Sequence, residues 1–243
     1  MTPGILLFAR YAFPPNRLGY CGPSDHAALA GYLGEDREDG GLRELALQFE
    51  GAYPYLQLIA GCAGIPDPFD PRVVEAYWIG NPLLDRVGAS PLYESLKRRF
   101  RPRMGGVEFA SLVSHLGDGV PPHHNFHVFE IYRRAGLLRD ERAAVALDRM
   151  DQCRISWGRV RAVAGAELVV DRSPLVLVSG KIALGAPLAT AVQRRLDGAP
   201  NEPEPGDWVS VHWNWMCDRL TRHTLAALRT ATRRALDHTN LTL

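Results

Sequence analysis

Residues 153–160 read CRISWGRV and residues 206–212 read GDWVSVH. Both segments combine apolar and aromatic residues with glycine, a composition typical of short strands bounded by turns. We therefore predict a small closed β-barrel over residues 153–213. It would carry Cys153 near its first strand and His212 at the end of its last strand, so that a thiol and an imidazole from two strands come together.

The chain between these segments supports the barrel. Apolar residues from Ile155 to Leu184 fall in short β-type runs, and the triplets 164–166 and 179–181 are predicted to form tight turns. After the last strand, apolar residues recur on one face of a C-terminal helix, for which Thr221 is a suitable N-cap.

Residues 1–151 are predicted to be helical. Asp70 precedes a proline at a helix start, residues 24–33 form a second capped helix, and residues 140–151 form the last one. The predicted fold class is α+β: a helical N-terminal domain, 1–151, followed by a small OB-like β-barrel with a C-terminal helix, 152–243.

Composition limits the partners. The 243 residues carry 28 basic and 27 acidic side chains, a net charge of +1, which does not favour a nucleic-acid or acidic-membrane partner. No apolar stretch is long enough to span a membrane, and the start lacks a signal-peptide pattern. The four cysteines form no C-x-x-C pair, so we expect a cytoplasmic protein with reduced thiols.

Cys153 and His212 offer a soft thiolate and an imidazole, which are good ligands for a redox metal. The two segments resemble the HypC/HupF family of small NiFe-hydrogenase maturation chaperones over about residues 150–238. The matching positions are Cys153, Gly158, Arg159, Val160, Gly206, Asp207, Trp208, Val209, Val211, His212 and Leu220. The opening, FARYAFPPNRLGYCGP at residues 8–23, resembles a family of bacterial proteins associated with hydrogenase genes.

The resemblance implies a function. In the chaperone family the cysteine holds an iron that carries carbonyl and cyanide ligands, with the histidine close by, and passes it to the hydrogenase large subunit. Carried over, it makes Cys153 and His212 the iron-binding residues. The expected partners are the large subunit and other maturation proteins.

A second candidate site is the histidine-rich segment PPHHNFH, residues 121–127. If it is helical, His123 and His127 lie on one face, as do His124 and His127, at a spacing that suits metal ligands. The alternative interpretation is a polar helix start whose histidines bond to local backbone.

A third candidate is the stretch from Arg10 to His26, which reads as a long irregular loop. Cys21 precedes a predicted helix start, whose dipole would lower the thiol pKa. Cys21 and His26 could complete a metal site with the histidines, or the stretch could be a packed N-terminal arm.

Three functions follow. The first is a binding module for an iron fragment or for the hydrogenase large subunit. The second is a metal-dependent enzyme of the helical domain that uses His123, His124 and His127. The third is a structural assembly protein without metal.

Overall fold

The structure, a computed structural model, describes residues 2–132, 143–194 and 202–243. The described helices are α1 Gly4–Arg17, α2 His26–Gly34, α3 Gly40–Leu47, α4 Tyr53–Ala63, α5 Pro71–Trp78, α6 Ala89–Phe100, α7 Gly106–Val113, α8 His124–Tyr132, α9 Ala143–Cys153 and α10 Arg222–Asn240. Short 3₁₀ helices cover Pro82–Arg86 and Leu116–Asp118. The strands are β1 Ser156–Ala164, β2 Glu167–Arg172, β3 Leu175–Val178, β4 Lys181–Leu184, β5 Leu188–Gln193, β6 Trp208–His212 and β7 Trp215–Leu220. The predicted α+β fold is thus confirmed.

Five strands close the barrel in the order β1-β2-β5-β7-β6, while β3 and β4 form a separate hairpin. The closing contact between β5 and β7 is parallel, and the other barrel pairs are antiparallel. A five-stranded barrel of this size is what an OB-like fold requires. The barrel extends beyond residue 213, because Trp213 and Asn214 adopt left-handed φ angles of 49° and 58° and turn the chain back into β7. The prediction that His212 ends the last strand was therefore wrong, since it ends β6.

Gly158 allows the paired strands β1 and β2 to approach each other closely. A Cβ atom at this position would lie 2.9 Å from the Cβ of Val170 on the facing strand. Real Cβ atoms avoid such a distance, so this motif glycine is needed for barrel closure.

The N-terminal stretch differs from its prediction. Instead of a loop from Arg10, α1 continues to Arg17 and contains Pro14 and Pro15. Prolines inside a helix cost about 3 kcal/mol or more. Burial of the aromatic face of α1, including Phe8, offsets this cost. Of the stretch from Arg10 to His26, only the residues between α1 and α2, 18–25, are irregular.

The predicted caps are confirmed. The Asp70 side chain accepts from the Arg72 amide, and Thr221 accepts from the Thr224 amide. The Asp25 side chain caps α2 in the same way, by accepting from the Ala28 amide.

Two hydrophobic cores lie among the described residues. The smaller one consists of barrel-strand residues, namely Val160, Leu168, Val170, Val192, Val209, Val211 and Met216, and the larger one joins the helical part to the barrel. Buried residues from both parts, including Phe8, Leu56, Phe126, Ile155, Trp213 and Leu220, belong to the same hydrophobic cluster. The predicted boundary after residue 151 falls inside α9, whose predicted first residues, 140–142, lie outside the described part of the chain. Among the described residues, no helix is long and apolar enough to cross a membrane.

Candidate metal centre

Three predicted ligands come together where the helical part meets the barrel. One ligand atom from each of His124, Cys153 and His212 lies within 4.8 Å of the other two, and all three residues are buried. Nε2 of His124 lies 3.9 Å from Sγ of Cys153.

Cys153 is the last residue of α9, not a residue of the first strand. A buried ion cluster fixes this helix end: the Asp151 carboxylate accepts from Nε of Arg154 at 2.9 Å and from both terminal nitrogens of Arg172 at 2.8 Å. Burial lowers the pKa of Arg154 to about 10, and the Asp151 charge opposes that shift. The carboxylate also accepts from the Leu175 amide at 2.9 Å, so α9 is tied to the barrel side of the fold.

The turn after β6 brings His212 to Cys153. The Trp213 amide donates to the carbonyl of Gln152 at 2.8 Å, so the residues next to His212 and Cys153 are bonded to each other. This long-range bond has no signal in the sequence.

α1 orients the His212 ring. Nδ1 of His212 lies 2.7 Å from the carbonyl oxygen of Tyr11. A carbonyl only accepts, so Nδ1 carries the proton and Nε2 of the neutral ring keeps its lone pair. The carbonyl is available because Pro15, four residues on, has no N–H to donate to it. Burial lowers the pKa of His212 to about 4, which keeps the ring neutral near pH 7.

His124 is the first residue of α8. Its Nδ1 lies 3.1 Å from the Tyr77 hydroxyl and its Nε2 lies 2.9 Å from the Cys153 carbonyl. The carbonyl contact places the proton on Nε2. Ligation through Nε2 requires the other tautomer, which the Tyr77 hydroxyl can accommodate by accepting from Nδ1. Burial, followed by the proximity of His212, holds the pKa of His124 well below its usual value.

The side chain of Asn125 fixes the start of α8. Its Oδ1 accepts from the Ile155 amide at 2.8 Å, and its Nδ2 donates to the Ile155 carbonyl at 3.2 Å and to Oγ1 of Thr232 at 2.8 Å. His124 is thereby held next to the segment that follows Cys153.

The other two histidines of the segment are placed differently. His123 precedes the helix, and its Nδ1 accepts from the Asn125 amide at 3.0 Å. His127 is half-buried on α8, with Nδ1 3.1 Å from the Tyr55 hydroxyl. Burial lowers the pKa of each to about 3. Of the three histidines, only His124 contributes to the ligand cluster.

Cys21 and His26 also lie outside the ligand cluster. His26 bonds through Nδ1 to Oδ1 of Asn16 at 3.1 Å. Cys21 is exposed to solvent on one side, and on the other side it lines the cavity beside the cluster. Shielding on that side, with Cys153 nearby, raises the pKa of the Cys21 thiol to about 12. The predicted lowering of this pKa was wrong, because α2 begins only at His26, five residues after Cys21, and burial raises the pKa.

The cavity beside the cluster has a volume of about 80 Å³ and mostly apolar walls. Its lining includes Ala12, Pro15, Tyr20, Phe49, Tyr77, Trp78, His127 and Trp213 together with the three clustered residues. Three protein ligands beside an open space suit a metal that keeps a position for an exogenous ligand. One thiolate with two imidazoles favours iron, copper or zinc over magnesium or calcium. The neutral rings fit such a metal once His124 moves its proton: the contact with the Tyr11 carbonyl leaves Nε2 of His212 without a proton, whereas Nε2 of His124 must pass its proton to Nδ1.

Comparison with curated proteins and with solved structures gives no match. One family model matches residues 1–243, which is the full length of the chain. The helical part, the barrel and the candidate metal centre between them therefore fall within a single family region. The chain belongs to the family of unknown function DUF6390.

Proposed function

We propose that this protein is a NiFe-hydrogenase maturation factor that binds an iron fragment through Cys153, His212 and His124. The cargo is iron that carries carbonyl and cyanide ligands, and the recipient is the hydrogenase large subunit. The identity of cargo and recipient is proposed from the motif resemblance.

One observation carries the metal-binding part of the proposal. A cysteine and a histidine from the two motif segments, far apart in the chain, have ligand atoms within 4.8 Å of each other and of His124. Burying a thiol and two imidazoles together in a core is costly unless they serve one another or a ligand. A metal would use all three.

The two other functions have less support. An enzyme that uses His123, His124 and His127 needs all three side chains at one ion, whereas the ligand cluster found among the described residues includes His124 and neither His123 nor His127. A metal-free assembly protein would leave the convergence of Cys153, His124 and His212 without a purpose.

The test is purification without oxygen from a hydrogenase-producing host, followed by metal analysis and infrared spectroscopy. We expect about one iron per chain, carbonyl and cyanide stretching bands, and co-purification of the large subunit. The Cys153→Ala variant should fold, because alanine replaces part of the thiol packing, and should lose the iron and the bands.

The matched control is Cys62→Ala. Cys62 is half-buried on α4 and lies outside the ligand cluster. Cys62→Ala should keep the metal and the partner. Wild-type levels of iron and partner in Cys153→Ala would refute the assignment. Bound metal without carbonyl or cyanide bands, and without the large subunit, would refute the hydrogenase role alone.

A further inference from the structure

Three buried nitrogen atoms around the cavity lack hydrogen-bond partners among the described residues. They are Nε1 of Trp78, Nε1 of Trp213 and Nε2 of His212. All three residues line the cavity beside the ligand cluster and are at most 8% exposed.

The two indoles need an acceptor. An indole nitrogen only donates and cannot change tautomer, unlike a histidine. Leaving such a donor buried without a partner destabilises the fold. Two of them on one cavity indicate that the acceptor comes from a bound molecule rather than from the chain.

Both indole rings lie next to the ligand cluster. The Trp78 ring centroid is 4.7 Å from that of His124 and 5.8 Å from that of His212. Trp213 follows His212 directly, and its ring stacks on Tyr20 with a centroid distance of 4.4 Å. Both indole rings, which line the cavity, are therefore close to the space that a metal-bound ligand would fill.

The cavity has room for small ligands beside a metal. Its volume of about 80 Å³ is several times the roughly 10–15 Å³ that one water molecule needs. Its apolar walls offer few other polar partners, so a ligand with a terminal acceptor atom would depend on the indole donors.

We propose that the cavity selects a metal that carries small linear anionic ligands, and that the indole N–H groups of Trp78 and Trp213 donate to their terminal atoms. Cyanide and azide belong to this ligand class. The inference rests on the proposed metal site and adds two specificity-determining residues to it.

The test uses the full-length protein loaded with Co(II) and titrated with azide, with the visible absorption spectrum as the readout. A thiolate-to-cobalt band reports metal binding, and its change on azide addition reports the second ligand. In Trp213→Phe and Trp78→Phe, which keep an aromatic ring but lose the donor, we expect unchanged Co(II) binding and roughly tenfold weaker azide binding.

Trp157→Phe is the matched control, because Trp157 is half-buried on β1 and does not line the cavity. It should bind azide as the wild type does. Thermal melting of each variant checks its fold. If neither cavity variant folds, the azide infrared band of the wild type decides, because a donated N–H shifts that band after transfer to deuterated water.

Two sets of results would overturn the inference in different ways. Co(II) binding with equal azide affinity in all four proteins, no azide binding at all, or an azide band that does not respond to deuteration would refute the indole donors and leave the metal site standing. Failure of the wild type to bind Co(II) would refute the metal site as well.

Discussion

The barrel and the helical part contribute unequally to the candidate metal centre. The barrel supplies one ligand, His212, at the end of β6. The helical part supplies Cys153 and His124, as well as the Tyr11 carbonyl that orients His212. The barrel strands thus supply His212 but not Cys153, so the candidate site forms only where the barrel meets the helical part.

The comparison predicts that contacts across this junction matter more than contacts at the barrel surface. Asp151→Asn should show the largest effect, since it leaves Arg154 and Arg172 buried without their anion. Removing one partner of a buried ion cluster costs about 3–5 kcal/mol. Denaturant unfolding measures this loss.

Asp171→Asn is the control for that change. Asp171 pairs with Arg161 on the outside of the barrel, and the arginine is 61% exposed. Surface pairs contribute about 0–1 kcal/mol. Equal losses in the two variants would mean that the junction has no special role in stability.

Asn125→Ala should have the next largest effect. It removes three buried hydrogen bonds that hold the start of α8 to Ile155 and α10. We expect about 2 kcal/mol or more of lost stability and weaker metal binding, because His124 loses its support. Asn81→Ala, at the half-buried start of a 3₁₀ helix, should leave metal affinity unchanged.

The buried histidines predict sensitivity to acid. Burial lowers the pKa of His123 and His127 to about 3 and that of His212 to about 4, while the unfolded value is about 6.5. Below pH 6.5 these histidines are protonated in the unfolded chain but remain neutral in the folded protein. The free energy of unfolding should therefore decrease as the pH is lowered below 6.5, by about 1.4 kcal/mol per pH unit for each histidine, until the folded pKa is reached.

His127→Gln isolates one such group on the helical side without removing a ligand. It should reduce the slope of unfolding free energy against pH by one proton between about pH 4 and 6. Chemical denaturation at a series of pH values gives the slope. An unchanged slope would show that His127 keeps an ordinary pKa.

Pro15→Ala should have the smallest effect on stability and a specific effect on the metal. It introduces an N–H that can compete with His212 for the Tyr11 carbonyl, so metal affinity should fall several-fold while the helix itself is not weakened. Pro14→Ala is the matched control, because the N–H it introduces faces the Arg10 carbonyl instead. Equal metal affinities in both variants would contradict the role of the Tyr11 carbonyl.

The barrel was more predictable than the site. Alternating apolar residues, turn glycines and caps such as Thr221 are local signals, and they gave the α+β fold. Motif matching placed Cys153 beside His212, although Cys153 ends a helix rather than standing on a strand. α1 was missed beyond Arg10 because Pro14 and Pro15 argue against a helix, while the tertiary burial that overrides them is not a local property.

The third ligand could not be singled out from sequence. The segment His123–His127 offers three histidines, and only the point at which α8 begins and the bonds of Asn125 to Ile155 select His124. Trp78 and Trp213 gave no signal either. Pro15, four residues after Tyr11, was a signal that could have indicated an available carbonyl.

X-ray absorption at the metal edge tests the central claim most directly. For the metal-loaded wild type we expect one sulfur and two imidazole nitrogens; for zinc the distances are about 2.3 Å and 2.0–2.1 Å. Cys153→Ser should lose the sulfur, and His124→Ala should lose one nitrogen. A wild-type spectrum without sulfur, or a sulfur that persists in Cys153→Ser, would contradict the metal centre.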